Sequence, residues 1–397
     1  MNRRGAETRR IAGAVARGFS ASLRLGGLAL FASSLYLNPA FACPFCTALK
    51  PTLCERRETA AVVVLAEFVS GTEKVKTFRV HRSLSEKPWS GKETIEVAVD
   101  WQGKPGALAV LFGDGEPDAP PERLEWSAVG VNETSFAYLA QAPSLRKKGE
   151  ERLAYFVRFL EHADATVADD VYQEFGHAPL EEVAKIADRL PFAKMREWLA
   201  DREIPQERKG FFGVALGLAT KEDDRRENLA VLQRVMDAKE SDFRAGFDGV
   251  LGGYLLLAGE KGLAVIGQRY FADKQAAEGD VRHAISAVRF FYEHDRKIDR
   301  ERFREALRPL VERPEFASAA ILDLARWKDW SLAAKVAGLY DAKGYPQPST
   351  REAVVAYLLA CPERGAADAR ADIRRRDPEG AAAAELKVAP NAPRSPR

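Results

Sequence analysis

RKGFFGVALG at residues 208–217 returns as RAGFDGVLGG at residues 244–253. Three looser copies start at Arg282 (RHAISAVRFF), Phe316 (FASAAILDLA) and Arg351 (REAVVAYLLA), so the five are spaced by 36, 38, 34 and 35 residues. The third position is small in each copy: Gly210, Gly246, Ala284, Ser318 and Ala353. The fourth is apolar throughout. Small residues on one helix face let a neighbour come close, and the apolar ones fill the layer between. A helix pair of about 35–45 residues cannot bury both faces alone, so successive pairs must share one core.

Upstream of the copies, Leu153, Phe156, Val157 and Leu160 keep helical spacing, and a helical-repeat domain is expected over residues 150–361. Before it the period is two. Residues 61–69 form a β-branched run, VKTFRV follows at 75–80, and TIEVAVDW at 94–101 alternates apolar and polar faces. Residues 107–112 make a short buried run before Gly113-Asp114-Gly115, and a hairpin is expected around Val131-Asn132-Glu133. Five or six short strands with Gly and Pro punctuation describe a small barrel or sandwich over residues 43–143. Beyond Pro362, residues 366–376 suit one charged helix, with the last ~18 residues disordered. The expected class is therefore α+β, a small OB-like β-module followed by an α-α superhelix. Over residues 205–361 the copies resemble HEAT-type repeats; the Trp, Tyr and Pro placements of tetratricopeptide repeats are absent.

The N-terminus reads as an export leader over residues 1–42. Six arginines stand against the single acid Glu7, an apolar stretch LALFASSLYL occupies residues 28–37, and Ala40-Phe41-Ala42 supplies a small-x-small cleavage pattern before Cys43. The apolar stretch falls short of the ~20 residues of a permanent membrane helix, and no later segment reads as a span. Thr8-Arg9-Arg10-Ile11 leaves a twin-arginine route open beside the general one, and lipidation of Cys43 is a minor alternative. The leader's surplus of five positive charges, in a chain of net charge +2, leaves the remainder at −3. An electrostatic case for nucleic acid fails on that balance. A periplasmic, cell-surface or secreted protein is expected.

Four cysteines, Cys43, Cys46, Cys54 and Cys361, allow three full pairings, and in an exported chain disulfides are the first expectation. Cys43-Pro44-Phe45-Cys46 also has the form of a redox pair, although such pairs follow a strand and open a helix. A Cys exposed by cleavage, another about ten residues on, a Val-rich strand and FRV…SLSEKPWSGKETIEV resemble netrin-type modules, which include the tissue inhibitors of metalloproteinases. The resemblance implies an OB-like barrel and a Cys43 whose amine and carbonyl chelate a target's zinc. The family's Cys-x-Cys is here Cys-x-x-Cys, and its further disulfide partners are missing.

No Gly-x-Ser-x-Gly elbow, His-Glu-x-x-His or phosphate-cradling loop occurs, and no resident metal or cofactor is expected. Two Glu-His elements, Glu161-His162 and Glu293-His294, read as equivalent helix ends. Arg208, Arg244, Arg282 and Arg351 lead their copies and form a ladder if the copies stack in register. Ladder members Arg244 and Arg282, with Arg158, Arg289, Tyr254 and Tyr292, are the candidate ligand surface; the alternative is that each arginine bridges to an acid of the neighbouring copy. The expected function is non-catalytic recognition of a protein or cell-envelope ligand, with metalloproteinase inhibition or thiol redox chemistry at the cysteine cluster as the alternative.

Overall fold

The computed structural model describes residues 45–46, 49–85, 93–116, 119–238, 244–295 and 297–388; the leader and Cys43 lie outside them. A short helix α1 (Leu53–Thr59) comes first, opened by a capping box in which the Thr52 hydroxyl accepts the Glu55 amide and the Glu55 carboxylate accepts the Thr52 amide. Five strands follow: β1 (Val62–Gly71), β2 (Lys76–Ser83), β3 (Thr94–Val97), β4 (Leu108–Asp114) and β5 (Glu125–Gly130). They make one antiparallel sheet in the order β3-β2-β1-β4-β5. Two irregularities in the β1–β2 register, at Leu65/Ala66 and Phe68/Ser70, help curl it into a half-barrel. The expected closed barrel or sandwich is thus a single curled sheet with β3 and β5 as its edges.

Alternation along the strands separates two cores. Val64, Ala66, Phe68, Phe78, Ile95, Val97, Ala109 and Leu111 face one way, with Trp101 and Trp126 packed on them. Val63, Val110 and Phe112 face the other way and join the core of the helices. The strand expected over residues 94–101 stops at Val97, because Val97 pairs with Lys76, where β2 begins, and nothing remains to pair with. Trp101 lies instead against Phe68 and Phe78, with ring centroids 6.3 and 5.7 Å apart. The hairpin expected at residues 131–133 is the start of α2 (Glu133–Gln141). Asn132 caps it, its side-chain oxygen accepting the Thr134 and Ser135 amides.

Helices then fill the chain: α3 (Glu150–Phe156), α4 (Ala165–His177), α5 (Leu180–Lys185), α6 (Phe192–Ala200), α7 (Gln206–Leu216), α8 (Glu222–Asp237), α9 (Phe247–Ile266) and α10 (Glu278–His294). The remaining six are α11 (Arg300–Leu307), α12 (Pro314–Arg326), α13 (Ala333–Gly338), α14 (Pro348–Ala360), α15 (Arg364–Arg376) and α16 (Pro378–Val388). Helices two apart in order pack on each other: α6 on α8, α7 on α9, α12 on α14, α13 on α15 and α14 on α16. The tail is therefore ordered beyond the expected stop at Asp377-Pro378. The Asp377 carboxylate accepts the Gly380 amide and the Tyr340 hydroxyl, and Ala381 and Ala384 of α16 are buried.

The repeated glycines set the approach of α7 to α9. A Cβ on Gly213 would stand 2.5 Å from the Val250 amide nitrogen, and one on Gly217 would stand 2.6 Å from Gly253 Cα. Methyls on Gly249 and Gly253 would collide with the Gly210 and Gly213 carbonyls. The stretch Phe247–Ala272 is long and apolar enough to cross a membrane by composition, contrary to the sequence reading. Here it is a core element, interrupted at Gly259, whose φ of 58° and ψ of −139° suit glycine.

Gly249→Ala or Gly253→Ala is expected to lower unfolding free energy by at least the ~1–3 kcal/mol of an overpacked core, since the obstacle is backbone. Gly365→Ala, with nothing within 4 Å of its added methyl, should be neutral or stabilising by up to ~1 kcal/mol. Urea denaturation of the three variants checks both signs.

Candidate functional site

The described residues before α1, 45–46 and 49–52, lie against the helices. The Phe45 side chain is fully buried. Its ring packs edge-on to Phe290 at 5.1 Å and near-parallel to Phe291 at 6.3 Å, and it lies over Gly252. The Phe45 carbonyl occupies the space a side chain at Gly210 would need. Further along, Leu49 fills the space beside Gly176, the Lys50 amide donates to Gln173 Oε1 at 2.7 Å, and the Lys50 carbonyl lies 3.0 Å from His177 Nε2. This strap thus meets α7, α9 and α10 through Phe45 and α4 through Leu49 and Lys50.

The strap ends at a buried polar cluster where helices and sheet meet. Asp170 Oδ1 accepts the Leu53 amide at 2.6 Å and Oδ2 accepts the Tyr138 hydroxyl at 2.7 Å. Arg152 donates to both Glu174 oxygens at 2.6 and 2.5 Å and to the Pro143 carbonyl at 2.6 Å. From α1, Arg57 donates to the Leu139 carbonyl at 2.6 Å, and Arg56 lies 4.0 Å over the Phe112 ring. A buried charge is costly unless paired and hydrogen-bonded; Arg152 and Glu174 are both, whereas Asp170 is held by hydrogen bonds alone.

Cys54 sits inside this cluster. Burial, reinforced by Glu174, pushes its thiol up to about 12, so it is held protonated and non-nucleophilic. No disulfide joins Cys46, Cys54 and Cys361, and Cys54 and Cys361 are buried thiols. The pairings expected among those three are not formed; Cys43 is outside the described residues. Cys46 is half-buried and does not open a helix, since α1 begins at Leu53.

The candidate ligand surface divides. Arg244 is buried, donating to Asp280 through Nε at 3.0 Å and Nη2 at 2.5 Å, with its guanidinium 3.5 Å over the Phe247 ring. Tyr254 is buried too. Both are placed for holding helices together, with the Arg244 guanidinium committed to Asp280. Arg289 reaches Asp323 Oδ2 at 2.7 Å, and one turn on Tyr292 stacks on Trp327 at 4.0 Å. Arg282 is exposed beside Glu278 of its own helix, and Arg158 is exposed over Tyr155 and Phe159. Of the ladder, Arg208 pairs with Glu161 at 2.8 Å and with Asp169, and Arg351 lies over Tyr340. Arg282, Arg289 and Tyr292 share α10, and Arg244 reaches the same helix at Asp280. His294 is the last residue of α10, and the His162 Nδ1 accepts the Asp164 amide at 3.0 Å.

Several side-chain links join residues 32–36 apart: Arg196 to Asn228 (32), Arg289 to Asp323 (34), Tyr172 to the Glu207 carbonyl (35), Tyr292 to the Trp327 carbonyl (35) and Arg244 to Asp280 (36). Among the described residues no three His, Cys, Asp or Glu side chains gather as a metal-binding group. Compared with known proteins, the chain matches no family model, no curated protein and no solved structure.

Sequence reasoning missed Phe45, Arg152, Asp170 and Glu174. The last two lie four apart on α4, inside an otherwise apolar face, and that break was the available signal.

Burial pushes the Asp170 carboxyl up to about 6, against the Leu53 amide and Tyr138 hydroxyl that favour its charged form. The folded protein thus binds this proton more tightly than the unfolded chain. Its stabilising contribution is complete below about pH 4 and is lost as pH rises through about 6. Glu174 shifts the same way through burial. Asp170→Asn keeps an oxygen for the Leu53 amide and removes one of these titrations. Urea midpoints between about pH 4 and 7 should fall less steeply in the variant than in the parent. Phe45→Ala is expected to cost about 3–5 kcal/mol by chemical denaturation, and a loss below ~1 kcal/mol would show that the strap does not support the fold.

Proposed function

We propose that this is an exported, non-catalytic recognition or scaffold protein. Its helix pairs stack as a HEAT-like superhelix and offer their outer surface to a protein or cell-envelope ligand. The observation that carries the reading is the use made of buried charge. Arg152–Glu174, Arg244–Asp280, Arg289–Asp323 and Arg308–Asp329 each close a pair between separate segments, and the buried Asp170 carboxyl is engaged by the Leu53 amide and the Tyr138 hydroxyl. The one fully enclosed thiol at the strap, Cys54, is held protonated. The links at 32–38 residues support stacking, since a repeated unit meets its successor at equivalent positions. Elongated stacks of this kind present large faces and few deep pockets, which suits protein ligands.

A photo-crosslinking amino acid at Arg158 or Arg282, both exposed on the helical part, tests this in the protein's own compartment. Adducts of defined mass from those positions, and none from Arg79 on the sheet, are expected. Adducts confined to Arg79, or none at either helical position, would overturn it.

A further inference from the structure

A cleft of about 1010 Å³ opens where α6 and α8 end and α7 and α9 begin. Among the described residues, five cationic side chains line it, Arg196, Arg202, Lys209, Arg234 and Arg244, against the carboxylate of Glu197. Arg196, Lys209 and Arg244 are already partnered. Arg196 is held by Glu227 at 2.6 Å and by Asn228 at 2.7 Å, and Arg244 by Asp280. The exposed side chains of Arg202 and Arg234 make no ion pair or side-chain hydrogen bond among the described residues. In a chain whose remainder after the leader carries −3, this concavity is a local reversal of sign. Single exposed cations contribute little, but several around one recess of low dielectric focus the field on whatever enters.

Apolar side chains line the cleft beside these cations, most of them buried and Val235 half-buried. Leu199, Val231, Val235 and Val250 line it together with Phe247. A ligand that satisfies both features carries carboxylates and aliphatic groups at alternating positions, which an extended acidic peptide does and a simple polyanion does not. We propose that this cleft is a recognition site for an acidic peptide segment with interspersed aliphatic side chains. The proposal rests on the recognition reading above and names the chemistry of its partner.

A short fluorescent peptide alternating glutamate and leucine is titrated into the full chain, with an oligoglutamate and inorganic polyphosphate as competitors. Binding of the alternating peptide is expected to weaken with added salt. It should fall at least ~10-fold in the double variant Arg202→Glu/Arg234→Glu, whose unfolding midpoint should be unchanged because both side chains are exposed. Oligoglutamate should compete poorly. Equal competition by oligoglutamate or polyphosphate would overturn the peptide assignment in favour of a polyanion. Binding unaffected by the double variant, or no binding of any probe, would overturn the cleft. Crosslinks at Arg158 or Arg282 would still uphold recognition elsewhere on the helices, so the two failures are distinguishable.

Discussion

Spacing between α7 and α9 is fixed by backbone touching backbone. With no side chain at Gly210, Gly213, Gly249 or Gly253, the carbonyls of one helix lie where methyl groups of the other would have to be. Dispersion falls off within an ångström, so two helices this close gain contact along their whole shared length. The same omission of side chains leaves the space that Phe45 enters, its carbonyl against Gly210 and its ring against Gly252. One sequence feature therefore governs both the closeness of the helices and the lodging of the segment that precedes them.

Around that centre, ionic groups serve as joints. The Asp170 carboxylate holds the start of α1 and the hydroxyl of a tyrosine on α2, so it ties the segments on either side of the sheet to α4. Arg244, Arg289 and Arg308 each cross to an acid outside their own helix. Glu161 adopts φ = 48°, a left-handed conformation uncommon for glutamate, and its carboxylate is the partner of buried Arg208. Removing one partner of such a pair leaves an uncompensated charge in the interior, which is costlier than the pair is stabilising.

Much of the fold was legible because period and capping are local. The strands at β1, β2 and β4 and the helical run from α3 onward follow the alternation and the 3.6-residue spacing of their apolar residues. The failures are places where a local signal has two meanings. Asn132 serves a turn or a helix start equally well, and only the helix that follows decides. TIEVAVDW alternates to its end, yet an edge strand lasts no longer than its partner. The alanines of residues 381–384 read as tail until α14 is there to cover them. At the site, a copy-leading arginine could be read as surface or joint, and the acid that meets Arg244 is 36 residues away. Phe45 was hidden among cysteines that drew the attention, and its companions lie some 245 residues downstream.

That last separation has a kinetic meaning. Phe45 is made early, yet its resting place does not exist until α10 has been synthesised and set against α9. Closing a loop of this length adds little to the equilibrium cost, because loop entropy grows only with the logarithm of length. It does postpone the event, since contacts distant in the chain form after nearby ones. The pocket for Phe45 is thus complete only when α9 and α10 stand together, so the lodging of this segment depends on the helices.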